Sequence, residues 1–156
     1  MEFELQLSFY GRIKYYMCKK QFPKADAVIC VSNAIRHEMI HEWHIDSKKV
    51  TAIENPYDIS EINSLAEEEM GSEETAFYAE HQVIVAVGGI EKRKGYLYLV
   101  NSFYHLLSYQ KDAGLVIIGE GRERKLIEER IKYLGIEKNV ILPGVKKNPF
   151  PYPGRS

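Results

Sequence analysis

A chain of 156 residues with a formal net charge of −1 has the length of one domain, on the scale of roughly 100–200 residues, and can bury a sizeable core. The near balance of acid and base leaves no global field to draw it to nucleic acid or to an anionic membrane. Cys18 and Cys30 are its only cysteines, no run approaches the roughly 20 apolar residues of a membrane span, and the start lacks a basic leader, so a cytoplasmic protein in a reducing compartment is expected.

Residues 12–22 are basic and aromatic (Arg12, Lys14, Tyr15, Tyr16, Lys19, Lys20, Phe22) and read as a helix that ends before Pro23. Residues 25–31 read as a buried strand. Ser32 is placed to cap a helix running to about Trp43, and a second strand spans 50–54. Asn55-Pro56-Tyr57-Asp58 is turn chemistry, and an acidic helix follows over 61–70. Residues 71–81, polar and aperiodic, read as a linker between a first domain over 1–70 and a second over 82–150.

The second domain alternates strand and helix: strand 83–87, helix 96–109, strand 115–118, helix 123–134, strand 140–142. Tyr96, Leu99, Val100, Phe103, Leu106 and Leu107 share one helical face, and Leu126, Ile127, Ile131 and Leu134 share another. Gly135 supplies a helix stop. Such a βαβαβ unit predicts parallel pairing through right-handed crossovers, half of a doubly wound sheet. In a sheet ordered 3-2-1-4-5-6 the first strand is central, so Val83-Ile84-Val85-Ala86-Val87 is expected to carry an apolar edge that another strand would cover. Residues 151–156 read as an irregular tail.

Three segments carry chemistry. Val87-Gly88-Gly89-Ile90-Glu91-Lys92-Arg93-Lys94-Gly95 lies between the first strand and helix of the unit, at the carboxyl end of the sheet where doubly wound folds bind ligands. Its glycines permit close backbone approach, and its cations sit beside a helix N-terminus, so a phosphate group fits as well as a solvated basic turn does. Ile118-Gly119-Glu120-Gly121-Arg122-Glu123 invites a dinucleotide reading, but Arg124 occupies the third glycine position and the loop follows the wrong strand. His37-Glu38-Met39-Ile40-His41 matches the H-E-x-x-H of zinc peptidases, with Glu61 as a nominal third ligand. At about 100° per residue, however, His37, His41 and His44 lie opposite Ile35, Met39 and Trp43, so they are expected to face solvent and no metal site is assigned.

Taken in order, these segments resemble the retaining glycosyltransferases of family 4, the "group 1" type with the two-domain GT-B fold. Ala25-Asp26-Ala27-Val28-Ile29-Cys30-Val31-Ser32 and Lys49-Val50-Thr51-Ala52-Ile53-Glu54-Asn55-Pro56 resemble the close of the family's N-terminal domain. Val87 to Gly95 resembles its V-G-R-L-x-x-x-K-G loop, Ile117-Ile118-Gly119-Glu120-Gly121 its I-x-G-[DE]-G segment, and Pro143-Gly144-Val145 with Asn148-Pro149-Phe150-Pro151-Tyr152 the stretch before its sugar-binding segment. The resemblance implies an α/β, partial GT-B fold: the end of the N-terminal Rossmann-like domain, then a βαβαβ half of the C-terminal Rossmann-like donor domain.

It further implies a donor site of Gly88, Gly89, Lys94, Gly95, Gly121 and Val145. Lys94 falls on the lysine that holds the donor diphosphate, and the backbone near Val145 and Lys146 would meet the nucleotide base. Gly89 stands where the family has an arginine, which makes Arg93 the candidate substitute cation. The expected substrates are a nucleotide diphosphate sugar and a glycan or lipid-linked acceptor, without a cofactor, in an enzyme peripheral at the membrane when complete. The family's paired glutamates would lie beyond Ser156 and its acceptor domain before Met1. An incomplete enzyme, inactive alone, is therefore the expectation, with a nucleotide-binding or sheet-completing partner chain without catalysis as the alternative and a zinc peptidase, from the His37-Glu38-x-x-His41 match, as a distant one.

Overall fold

Residues 9–153 are described by the structure, a computed structural model, and the chain divides into two units, Met1–Tyr57 and Asp58–Ser156. In the first, α1 (Phe9–Gln21) ends with Lys19 and Lys20 in its last turn, where cations complement the helix dipole, and Pro23 follows in a short 3-10 turn. Strand β1 (Val28–Cys30), helix α2 (Asn33–His41) and strand β2 (Val50–Ala52) form a βαβ unit, its strands parallel with Cys30 opposite Ala52. Cys30, Ile45 and Val50 make its core, flanked by Met39, Ile40 and Trp43. The ring of Trp43 also stacks on Phe22 and takes the edge of Tyr15, tying α1 to this core.

Ser32 caps α2 as expected, its Oγ accepting from Ile35 N at 3.2 Å. Ser32→Ala should therefore cost the unit about 1 kcal/mol, read as a lower denaturant midpoint. The strands are shorter than the apolar runs suggested, and β1 is not buried along its length: Ile29 is 67% exposed. A parallel strand is buried throughout only when both its faces are covered. Among the described residues α2 and the Trp43 corner pack on the Cys30 side alone.

The second unit opens with α3 (Ile59–Ala66), capped by Asp58 through Glu61 N at 3.0 Å. Residues 71–81, expected as a linker, instead form α4 (Ser72–Glu80). Glu73 and Glu74 in its first turn suit the positive end of the dipole. A single large apolar side chain, Phe77, is buried from it, so the segment shows no hydrophobic period. That contact explains Gly114 in the facing strand, where a Cβ would lie 2.7 Å from both Phe77 and His81. The boundary between units thus falls after Tyr57, and α4 belongs to the second unit.

Strands β3 (Gln82–Val87), β4 (Ala113–Ile118) and β5 (Val140–Gly144) are parallel in the order β3-β4-β5, joined by helices α5 (Tyr96–Leu106) and α6 (Arg124–Leu134). Strand β4 is buried at every position. Leu115 and Ile117 face the α5–α6 layer with Val100, Phe103, Ile127 and Ile131. Val116 and Ile118 face the other layer, where Phe77 and Tyr152 pack. Gly135 ends α6 in the left-handed conformation, φ 68°. Among the described residues β3 pairs on one side only, and Ile84 and Val87 are 41% and 51% exposed, the uncovered apolar edge that the pattern predicts.

Residues 151–153, placed in the tail by the sequence, form a tight turn that is anchored: Tyr152 is buried, and its carbonyl accepts from the Tyr78 hydroxyl at 2.9 Å. The remainder of the expected tail, 154–156, lies outside the described residues.

Candidate donor-phosphate site

Three loops leave the carboxyl edge of the three-stranded sheet, and backbone bonds join them. Gly88 N donates to Ile118 O, Gly119 N to Gly144 O and Ile90 N to Glu120 O, each at 2.9 Å, and Glu123 N returns to Ile90 O at 3.1 Å. Ile90 is fully buried and holds the first loop down. The Gly88-Gly89 pair, Gly121 and Gly144, from three separate loops, are thereby brought to one edge.

The glycines do different work there. A Cβ on Gly119 would collide with the Gly88 carbonyl, and one on Gly121 with the backbone of Ile90. These two residues let the second loop lie against the first. Gly88 and Gly119 also take φ of 150° and 142°, conformations that side chains disfavour. Gly89 differs: the nearest atom to a Cβ there is Glu120 O at 3.8 Å, an ordinary contact, so the position has room for a side chain.

Lys92, Arg93 and Lys94 form a 3-10 turn, and Gly95 at φ 70° redirects the chain into α5. All three cations are exposed. Arg93 Nε bonds Glu91 Oε2 at 3.1 Å, while among the described residues Lys92 and Lys94 pair with no carboxylate. The N-terminus of α5 has no side-chain cap, so its first amides point outward without protein partners from a capping group. Positive charge beside the positive end of a helix is unfavourable by itself, and an anion bound there relieves both.

In the second loop the carboxylate is already engaged. Arg124 donates from Nη1 to Glu120 Oε1 at 2.6 Å, from Nε to Glu128 Oε1 at 2.7 Å and from Nη2 to Leu142 O at 2.8 Å. The residue at the third glycine position of a dinucleotide fingerprint is thus a clamp between α6, the loop and β5, a role that a glycine could not fill.

Val145, after Gly144, is 71% exposed. Lys146 turns away to an ion pair with Glu74 on α4, and the Tyr152 hydroxyl donates to the same carboxylate oxygen at 3.1 Å. The Lys146 ammonium holds the Glu74 carboxyl below the usual carboxylate range, and the carboxylate in turn raises Lys146. Burial raises the Tyr152 phenol. The pair therefore contributes fully between the ordinary carboxylate and ammonium ranges. Its contribution is lost as pH falls through the lowered value of Glu74 or rises through the raised value of Lys146. Neither Glu74 nor Tyr152 was singled out from the sequence as part of a site; one sat in the expected linker, the other in the expected tail.

His37 and His41 lie on α2 with rings 4.0 Å apart, exposed together with Glu38 and His44, as the helical spacing predicts. Glu61, the nominal third ligand, belongs to the second unit. Among the described residues no group of three or more His, Cys, Asp or Glu is placed to hold a metal, and no helix is long and apolar enough to cross a membrane.

The family described as "Glycosyl transferases group 1" matches residues 68–149, and "Glycosyltransferase Family 4" matches residues 3–61. An uncharacterized glycosyltransferase of Methanocaldococcus jannaschii is 27% identical over 92% of the chain. The N-acetylgalactosamine-N,N'-diacetylbacillosaminyl-diphospho-undecaprenol 4-alpha-N-acetylgalactosaminyltransferase of Campylobacter jejuni is 26% identical over 93%. The chain spans 35% and 37% of the lengths of these relatives. Solved glycosyltransferase structures of the GT-B type cover about 90% of it. Anabaena Alr3699/HepE in complex with UDP superposes at a TM-score of 0.64 and 18% identity, over 94% of this chain and 40% of that one. The α/β, partial GT-B architecture expected from the sequence is the observed one.

Proposed function

The chain belongs to the glycosyl transferases group 1, and on that premise we propose that its second unit forms the donor-diphosphate side of an enzyme that transfers a sugar from a nucleotide diphosphate sugar to a glycan or lipid-linked acceptor, with retention. The first unit, through Tyr57, would then belong to the acceptor side, and the second unit, which includes residues 82–150, to the donor side.

The observation that carries this reading is the run of three exposed cations ahead of the uncapped N-terminus of α5, at the carboxyl edge of a parallel sheet. Lys94 would bind the diphosphate and offset the charge that builds on it as the sugar departs, which is where an enzyme gains most from a fixed cation. Gly88, Gly89 and Gly95 shape the loop around it, Gly121 keeps the second loop close, and the backbone at Val145 meets the base. Arg93 is the second cation. Its exposed pair with Glu91 is worth about 0–1 kcal/mol, so an incoming phosphate can take the guanidinium over. The UDP bound to Anabaena HepE and the diphospho-undecaprenol acceptor in the Campylobacter relative's name support the two substrate classes.

Because the chain spans about a third of its curated relatives, these residues support the binding step, and no turnover is proposed for them alone. The exposed apolar edge of β3 favours one second reading: a nucleotide-binding chain whose sheet a complementary chain completes. Its mark would be a stable complex with that chain that protects the Val83, Val85 and Val87 amides, which face away from β4, from hydrogen exchange.

Calorimetric titration with UDP, GDP and their nucleosides tests the main reading. At least one diphosphate should bind about tenfold or more tightly than its nucleoside, an advantage that shrinks as salt is raised. If nucleosides bind as well as diphosphates, or no diphosphate binds, the reading is wrong.

A further inference from the structure

We propose that Glu74 is a positioning residue for the base end of the donor site, fastening the loop after β5 through Lys146 and Tyr152 so that the Val145 backbone is held ready for the nucleotide. The inference rests on the proposed donor-site reading.

Glu74 is the one buried charged side chain among the described residues, 7% exposed. A carboxylate removed from water is costly unless its charge and its lone pairs are met. Here Lys146 meets the charge and the Tyr152 hydroxyl adds a hydrogen bond. Room for the carboxylate comes from Gly71, where any Cβ would collide with it. Two groups that stand 72 and 78 positions from Glu74 in the sequence thus converge on its Oε1.

The rest of the loop is tied on the same side. Asn148 donates to Leu65 O at 2.7 Å and to Glu68 Oε2 at 2.8 Å, and its own Oδ1 accepts from Phe150 N at 3.0 Å. Tyr152 is sunk among Phe77, Val116 and Ile118. On the sheet side, Gly144 O accepts from Gly119 N at 2.9 Å.

Val145 is therefore the residue left exposed between two fixed neighbours: Gly144 tied to the second loop, and Lys146 tied to α4. A binding backbone held in place before the ligand arrives loses less entropy when it binds. The same geometry removes Lys146 from the set of cations open to the diphosphate, since leaving Glu74 would strand a buried charge.

The test compares UDP with inorganic pyrophosphate, which lacks the base, on the whole chain and on Glu74→Gln. The substitution should weaken UDP about tenfold and leave pyrophosphate within about twofold. It should also raise tryptic cleavage after Lys146 relative to cleavage after Lys125 on α6. A merely structural fault would weaken both ligands together, and that result overturns the inference, as does a UDP affinity that Glu74→Gln leaves unchanged. A wild-type chain that binds pyrophosphate as tightly as UDP has no base subsite, which removes this role while sparing the diphosphate site. A wild-type chain that binds neither overturns the donor-site reading and this one with it. Should Glu74→Gln fail to fold, Tyr152→Phe removes only the hydroxyl and should give the same split at about threefold. Equal affinity losses in that variant, or none, overturn the proposal.

Discussion

Gly119→Ala should destabilise the second unit by about 3 kcal/mol and abolish nucleotide binding with it. Two costs add. At φ 142° an alanine sits in backbone space that only glycine occupies easily, worth roughly 1–3 kcal/mol. Its Cβ also collides with the Gly88 carbonyl, and relieving an overpacked contact costs about 1–3 kcal/mol. Neither partner can retreat cheaply, because Gly88 N is bonded to Ile118 O and Ile90 is buried beside it. Gly89→Ala is the matched control: with 3.8 Å to its nearest neighbour it should stay within about 0.5 kcal/mol of the parent. Urea unfolding of the three proteins decides the matter. If Gly119→Ala melts like the parent and loses only ligand affinity, the glycine serves the ligand and not the joint between loops.

That contrast marks how far the sequence could be read. The alternation of strand and helix after residue 82 was legible because Leu115 and Ile117 on β4, and Val100, Phe103, Ile127 and Ile131 on the helices, repeat at the periods of their elements. The solvent-facing histidines of α2 followed from the angle per residue alone. Helix α4 was not legible, since one large buried side chain, Phe77, gives no period. Its reason for existing lies across the sheet, at Gly114.

The glycines of the site were visible as special, but their reasons divided in a way the sequence does not display. Gly119 and Gly121 make space for another loop, Gly95 turns the chain, and Gly89 has room to spare. The lock on Glu74 was invisible for a different reason. Its partners stand 72 and 78 positions away, and no local pattern announces a contact of that range.

Lys94→Ala should weaken a bound nucleoside diphosphate about thirtyfold and leave the unfolding midpoint unchanged. A charge-assisted hydrogen bond is worth about 1.5–3 kcal/mol when its partner stays in place. Lys94 pairs with no carboxylate among the described residues, so its removal costs the fold nothing in ion pairing. Arg93→Ala should cost less, about threefold, because the parent guanidinium must first leave Glu91. Lys92→Ala serves as the measure of bulk charge, since it shares the turn and the exposure of Lys94.

Equal losses from Lys92 and Lys94 would mean a basic turn that attracts anions without a site. The room at Gly89 supplies the converse. Gly89→Arg adds a side chain where a Cβ meets only an ordinary contact, and it places a second guanidinium, beside that of Arg93, in the same loop. A gain of about tenfold in diphosphate affinity, absent in the Lys94→Ala background, would fix both cations on one phosphate group.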